Sequence, residues 1–228
     1  MKYSSEIISV DAVLFDLDGT LIDSSAAYER VWTRWAEYYN LAPDIVIDES
    51  HGRRPEDTIR SILGYSVDIQ RAVGLFTAEE KKEHHFTAIP GAKHLMLAMP
   101  KSKWAIVTSS TELIARKKLA YCELPEPEIL ISAERVNLGK PDPEGYKQAA
   151  NQLKVDITRC LVVEDAPSGI EAGHRSGADV LVVAASYNAS NFIHEKVVNS
   201  LDDICVENIS SDGGLKLMVN ILKSFGQD

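Results

Sequence analysis

The feature of this sequence that most restricts its fold is a recurring one: a short, continuous apolar run that stops abruptly at a polar or acidic residue. Val10 to Phe15 is a β-branched run that stops at Asp16. Trp104 to Val107 stops at Thr108-Ser109-Ser110, Leu161 to Val163 at Glu164-Asp165, and Val180 to Val183 at small residues. Runs that are apolar throughout, rather than alternating, suit parallel strands covered on both faces. Helical patterns lie between them, over Thr111 to Ala120, over Glu144 to Leu153 after a Pro-Asp-Pro opening, and over Ser168 to Arg175 before Gly177. Alternating strand and helix predicts an α/β fold, a doubly wound and mostly parallel sheet. Ligands of such sheets collect at the carboxyl ends of the strands, and Asp16, Asp18, Thr108, Glu164 and Asp165 all fall there.

The pattern is interrupted between about Asp23 and Pro90. Tyr28, Val31, Trp32, Trp35, Ala36 and Tyr39 recur at helical spacing, as do Ile59, Ile62 and Leu63, with no convincing buried strand. The expected organisation is a core domain of residues 1–22 and 91–228, with an α-helical subdomain of residues 23–90 inserted after the first strand. Pro90-Gly91 is the expected return to the core.

Composition narrows the function by exclusion. A formal net charge of -10 disfavours nucleic acid and anionic lipid as partners. Any phosphate site must therefore be built locally, from particular cations, amides and a metal. Cys122, Cys160 and Cys205 are odd in number and lack metal-ligand spacing, which points to packing in a reducing compartment. With no signal-like N-terminus and no long apolar stretch, the expectation is a soluble, cytoplasmic protein, a monomer or weak oligomer.

Asp16 and Asp18 sit two apart, so both would point to one face of a straight strand. Crowded carboxylates call for a cation, and oxygen-only ligands favour a hard one such as Mg²⁺. Glu164-Asp165 at a second strand end supplies further acid. Taken alone, Asp16 and Asp18 equally suit solvated turn carboxylates. Thr108 offers a hydroxyl and Ser109 an amide at a strand-to-helix turn, suited to phosphate oxygens or to an N-cap. Lys140 lies in Gly139-Lys140-Pro141-Asp142-Pro143, a loop stiffened by two prolines that could aim its ammonium at a phosphate or at a nucleophile.

Asp16-Leu17-Asp18-Gly19-Thr20, Thr108, Lys140 and Glu164-Asp165 together resemble, in order and spacing, the four motifs of haloacid dehalogenase-type phosphatases. The resemblance implies a covalent mechanism, with Asp16 as nucleophile and Asp18 as acid and base. It implies Mg²⁺ held by the Asp16 and Asp165 carboxylates and the Asp18 carbonyl, with Glu164 supporting the metal waters. Lys140, Thr108 and Ser109 would offset charge on the transferring group. The insert resembles the helical cap of these enzymes, and His51-Gly52-Arg53-Arg54 is the expected reader of the leaving group, through Arg53 or Arg54. Within the family the likeness is to hexose-phosphate and glycerol-phosphate phosphatases, so the expected partner is a small sugar or polyol phosphate. A phosphomutase of the β-phosphoglucomutase type and, from another class, a phospho-receiver module are the alternative readings.

Overall fold

The structure, a computed structural model, describes residues 3–64, 68–184, 192, 194–209 and 213–222. The chain opens with β1 (Tyr3–Val10), β2 (Ala12–Phe15) and the short β3 (Ile22–Asp23). Four helices follow, α1 (Ser25–Tyr38), α2 (Pro43–Ser50), α3 (Pro55–Leu63) and α4 (Ile69–Glu80), before β4 (Thr87–Ala88) turns back. Then come α5 (Ala92–Ala98), β5 (Trp104–Val107), α6 (Glu112–Tyr121), β6 (Leu130–Ile131), α7 (Glu144–Leu153), β7 (Cys160–Glu164), α8 (Pro167–Ser176), β8 (Asp179–Val183), β9 (Lys196–Val198), β10 (Ile204–Ile209) and β11 (Leu215–Leu222).

Six strands form the central sheet, in the order β6-β5-β2-β7-β8-β9, all parallel. The apolar runs are buried on both faces, as continuous hydrophobicity requires. Val13 and Phe15 of β2 enter one core while Ala12 and Leu14 enter the other, and Leu161 with Val163 alternates in the same way with Cys160 and Val162 on β7. A third core is drawn only from residues 28–76, within α1 to α4. There Trp32 packs against Phe76 with ring centroids 4.3 Å apart and the planes tilted by 45°, and the Trp35 indole donates to the Ala72 carbonyl at 3.0 Å. The tryptophan stripe is thus the packing seam of these helices. Among the described residues no helix is long and apolar enough to cross a membrane.

The run from Val10 to Phe15 is not one strand. It breaks at Asp11, whose carboxylate pairs with Arg159 through both guanidinium contacts, at 2.5 and 2.7 Å. The chain changes sheets at this partly exposed pair. Before the break, β1 pairs antiparallel with β11, which pairs antiparallel with β10, making a three-stranded sheet that the continuous-run criterion does not find. Its signal is a period of two, plain in the alternating burial of Leu215–Leu222.

At the return from the helical segment, Ile22 pairs with Ala88 and Asp23 with Thr87. Pro90 accepts from the Leu201 amide at 3.0 Å, and Gly91, in the left-handed region at φ +86°, would place a Cβ 2.2 Å from the Asp202 nitrogen. Gly91→Ala should therefore cost at least about 2 kcal/mol, combining left-handed strain with a clash against backbone that cannot swing aside. Chemical denaturation would measure it, and a loss below about 0.5 kcal/mol would mean that the Pro90-Gly91 turn is not pinned to Leu201 and Asp202.

Candidate active site

Four of the sequence-selected residues converge at the carboxyl ends of β2 and β7. Asp16 directly follows β2 and its amide still bonds the Val163 carbonyl at 3.0 Å, which fixes its backbone to the neighbouring strand. Glu164 ends β7, and Asp165 follows. Lys140, whose peptide bond to Pro141 is cis, reaches in from the loop before α7. Its ammonium lies 2.5 Å from Asp16 Oδ1 and 2.6 Å from Glu164 Oε1. Glu164 Oε1 also accepts from the Tyr146 hydroxyl at 2.7 Å, and Oε2 accepts from the Asp165 and Ala166 amides at 3.0 and 3.2 Å. The four lone pairs of that carboxylate are then spoken for. Glu164 is built to hold Lys140, and Lys140 to hold Asp16.

Carboxylate oxygens of Asp16, Glu164 and Asp165 lie within 4.8 Å of one another, all three residues buried. Three acids face one ammonium. Burial, reinforced by the Glu164 charge and opposed by Lys140, raises the Asp16 carboxyl from 3.8 to about 7. Burial followed by the charges of Asp16 and Glu164 holds Asp165 well above the ordinary range. The surplus negative charge and the oxygen-only donor set fit a hard divalent cation. Gly19 makes the close approach possible: at φ +89° it lets Asp165 in, and a Cβ there would lie 1.8 Å from Asp165 Oδ2.

Asp18 has a different setting. Burial alone would raise its carboxyl too. The Lys118 ammonium beside it, with hydrogen bonds from Lys118, Ser24 and Ser110, outweighs burial and holds it below the ordinary range. Asp18 Oδ1 accepts from Ser24 at 2.6 Å and from Lys118 at 2.7 Å, and Oδ2 from Ser110 at 2.9 Å. Two aspartates two residues apart thus sit in opposite fields.

Both aspartates open onto a cavity of about 170 Å³ between the sheet edge and the helices, lined also by Tyr28, Glu29, His51, Arg53, Phe76, Glu80, Thr108, Ser109 and Lys118. The loop of residues 51–54 hangs on the sheet edge, since Ser109 donates to the Gly52 carbonyl at 2.9 Å and Ser168 to the His51 carbonyl at 3.2 Å. Thr108 Oγ1 accepts from the Ser110 amide at 3.0 Å and shapes the turn. His51 packs against Tyr28, and Arg53 is paired with Glu49. Arg54 does not line this cavity. Its guanidinium grips Asp57 at 2.7 and 3.0 Å and donates to the Val136 and Asn137 carbonyls at 3.1 and 3.2 Å, so it ties the helical segment to the core.

A family model described as haloacid dehalogenase-like hydrolase matches residues 10–177. The chain belongs to the haloacid dehalogenase-like hydrolases. It is 37% identical to Hexitol phosphatase A of Escherichia coli over 85% of this chain and 92% of that protein. Against 2-deoxyglucose-6-phosphate phosphatase 1 of Saccharomyces cerevisiae it is 31% identical, over 93% and 96%. The crystal structure of a hydrolase from Pseudomonas syringae superposes with a TM-score of 0.69 at 28% identity, covering 78% of this chain and 87% of that one. The sheet described above is therefore the core of this hydrolase family.

For this haloacid dehalogenase-like hydrolase, sequence reasoning did not single out Lys118, Ser110, Ser24, Tyr146 or Glu80. Lys118 had a signal: it falls on the buried face of α6 with Ile114, Ala115 and Leu119, where a lysine needs an acidic partner. Asp16 provides a test of the crowding. With its carboxyl raised to about 7, the native state binds that proton more tightly than the unfolded chain, so Asp16 subtracts stability as pH rises from about 4 to about 7. In chelator at about pH 8, Asp16→Asn should melt above the wild type by the equivalent of a few kcal/mol, an advantage that fades towards about pH 5. A variant no more stable than wild type at the higher pH would show that Lys140 already neutralises the cluster.

Proposed function

We propose that this chain hydrolyses phosphate monoesters of small sugars and polyols in two steps through an aspartyl-phosphate on Asp16, with Mg²⁺ as cofactor. The observation that carries the reading is the opposed setting of the two neighbouring carboxylates. Asp16 sits among acids at the centre of the cluster, whereas Asp18 sits against Lys118 and two serine hydroxyls. Carboxylates whose environments drive them apart suit divided labour, one as nucleophile and one as proton carrier.

In the first step an Asp16 oxygen forms a bond to phosphorus as the bond from phosphorus to the leaving oxygen breaks, and the Asp18 carboxyl gives that oxygen its proton. The phosphoryl dianion arriving beside Asp18 raises the proton affinity of its carboxyl. In the second step the Asp18 carboxylate takes a proton from water as that water's oxygen bonds to phosphorus and the bond from phosphorus to the Asp16 oxygen breaks, freeing the Asp16 carboxylate. Lys140, kept in place by Glu164 and Tyr146, balances charge beside Asp16, and the Thr108-Ser109 turn meets the phosphoryl oxygens. The Asp16 and Asp165 carboxylates and the Asp18 carbonyl would hold Mg²⁺, which supplies further charge stabilisation for the transferring group. Glu164, with its acceptors filled, works from behind them.

Residues 23–90 act in this reading as a cap that shuts water out of the cavity. A separate third core and the two-residue β3–β4 neck support treating them as a unit apart from residues 1–22 and 91–228. The small cavity supports a small substrate. The names of the relatives, a hexitol phosphatase and a deoxyglucose-6-phosphate phosphatase, support a sugar or polyol as its alcohol half.

Phosphate release should be seen with Mg²⁺ from a panel of hexose, hexitol, pentose and glycerol phosphates, and should cease with chelator. Asp16→Asn should lower turnover at least about 10⁴-fold with the fold kept. Release that persists in Asp16→Asn would overturn the nucleophile, and interconversion of sugar phosphate isomers without release would make the chain a mutase.

A further inference from the structure

Lys118 is 4% exposed, and its ammonium faces three polar groups, Asp18 Oδ1 at 2.7 Å, Ser110 Oγ at 3.1 Å and Glu80 Oε1 at 3.8 Å, and lies over the Phe86 ring at 5.9 Å from its centroid. It touches neither the acidic cluster nor Lys140. A buried ammonium is costly unless paired, and the nearest carboxylate to this one is that of Asp18, two residues beyond Asp16.

A lone-pair count shows what the arrangement does to Asp18. A carboxylate has two acceptor positions on each oxygen. On Oδ1 both are filled, by Lys118 and Ser24; on Oδ2 one is filled, by Ser110. One position remains, on Oδ2. Ser110 also accepts from Lys118, so the ammonium steadies both the carboxylate and the hydroxyl that orients its other oxygen.

We propose that Lys118 is a positioning residue for proton transfer by Asp18: by filling Oδ1 and bracing Ser110, it confines the travelling proton to Oδ2, the oxygen with an open position. The inference rests on the reading of Asp18 as the proton carrier. Glu80, the last residue of α4, comes from the helical segment and stands as the second counter-charge to Lys118, so the same ammonium also links the proton carrier to the helices over the cavity. If Lys118 is removed, Oδ1 opens to a proton as well, and the carboxyl loses the contact that fixes which oxygen delivers.

Leaving-group dependence separates this role from a merely structural one. An alkoxide leaving group needs the proton, whereas 4-nitrophenolate leaves almost unaided, and kcat/KM reports the step in which it departs. The experiment compares kcat/KM for 4-nitrophenyl phosphate with that for the fastest alkyl phosphate among the hexose, hexitol, pentose and glycerol phosphates, in wild type, Asp18→Asn, Lys118→Met and Lys118→Arg, with melting curves as the check on folding. Lys118→Met should lose at least about 30-fold on the alkyl phosphate and less than about 5-fold on the aryl one, and Lys118→Arg should recover part of the alkyl loss. Asp18→Asn should show the same split, more steeply. A split in Asp18→Asn without one in Lys118→Met would overturn the positioning role. No split in Asp18→Asn would instead overturn the proton carrier on which it rests. Should Lys118→Met fail to fold, Ser110→Ala removes the Oδ2 anchor with little loss of volume and must show the split in its place; equal losses on both substrates would overturn the proposal.

Discussion

The site depends on one buried ammonium shared between two carboxylates. Lys140 stands between Asp16 and Glu164 at 2.5 and 2.6 Å, and without it three acids would be gathered at one sheet edge with no cation paired to them. Burial makes every charge there expensive, so geometry has to offset the cost: Tyr146 and two backbone amides complete Glu164, and Glu164 in turn fixes the lysine. Burial first, and then the Glu164 charge, lift the Asp16 carboxyl to about 7, and an oxygen-only cluster with more acids than cations fits a hard divalent ion. In the proposed reading, the crowding of these acids is what would let the cluster receive a metal and a phosphoryl group.

The fold explains how such a cluster can be held. Parallel strands buried on both faces bring β2 and β7 side by side, so that Asp16 and Glu164-Asp165, far apart in the chain, share one edge. The next strand on the other side, β5, brings Thr108, Ser109 and Ser110 to the same edge. From there α6 runs back with Lys118 on its buried face, close enough to pair with Asp18 at 2.7 Å. One sheet edge thereby supports two electrostatic settings side by side, an acidic one around Asp16 and a cationic one around Asp18, which the proposed mechanism uses for a metal and nucleophile and for a proton carrier.

Much of this was legible in the amino acids, and what was missed has physical reasons. Short apolar runs that stop at polar residues and alternate with helical patterns suit buried parallel strands, so the residues at their ends could be named. The antiparallel sheet of β1, β10 and β11 carries a weaker period-two signal, and Asp11 hides the break in the first run. Lys118 sits in the basic triplet Arg116-Lys117-Lys118, which reads as a solvated helix face until the helical phase is worked out. Arg54 was expected, with Arg53, to read the substrate, because a basic loop between helices looks free. Its partners at Val136 and Asn137 lie far along the chain, beyond the reach of local pattern.

In the proposed mechanism an oxygen of Asp16 attacks phosphorus. The most direct measurement is an acid quench during turnover of a sugar phosphate with Mg²⁺, followed by proteolysis and mass spectrometry of the peptide that contains Asp16. A phosphoryl adduct on Asp16 that forms and decays with turnover is the predicted result. Phosphate release with the adduct on another residue, or with none at any time of quenching, would contradict the account.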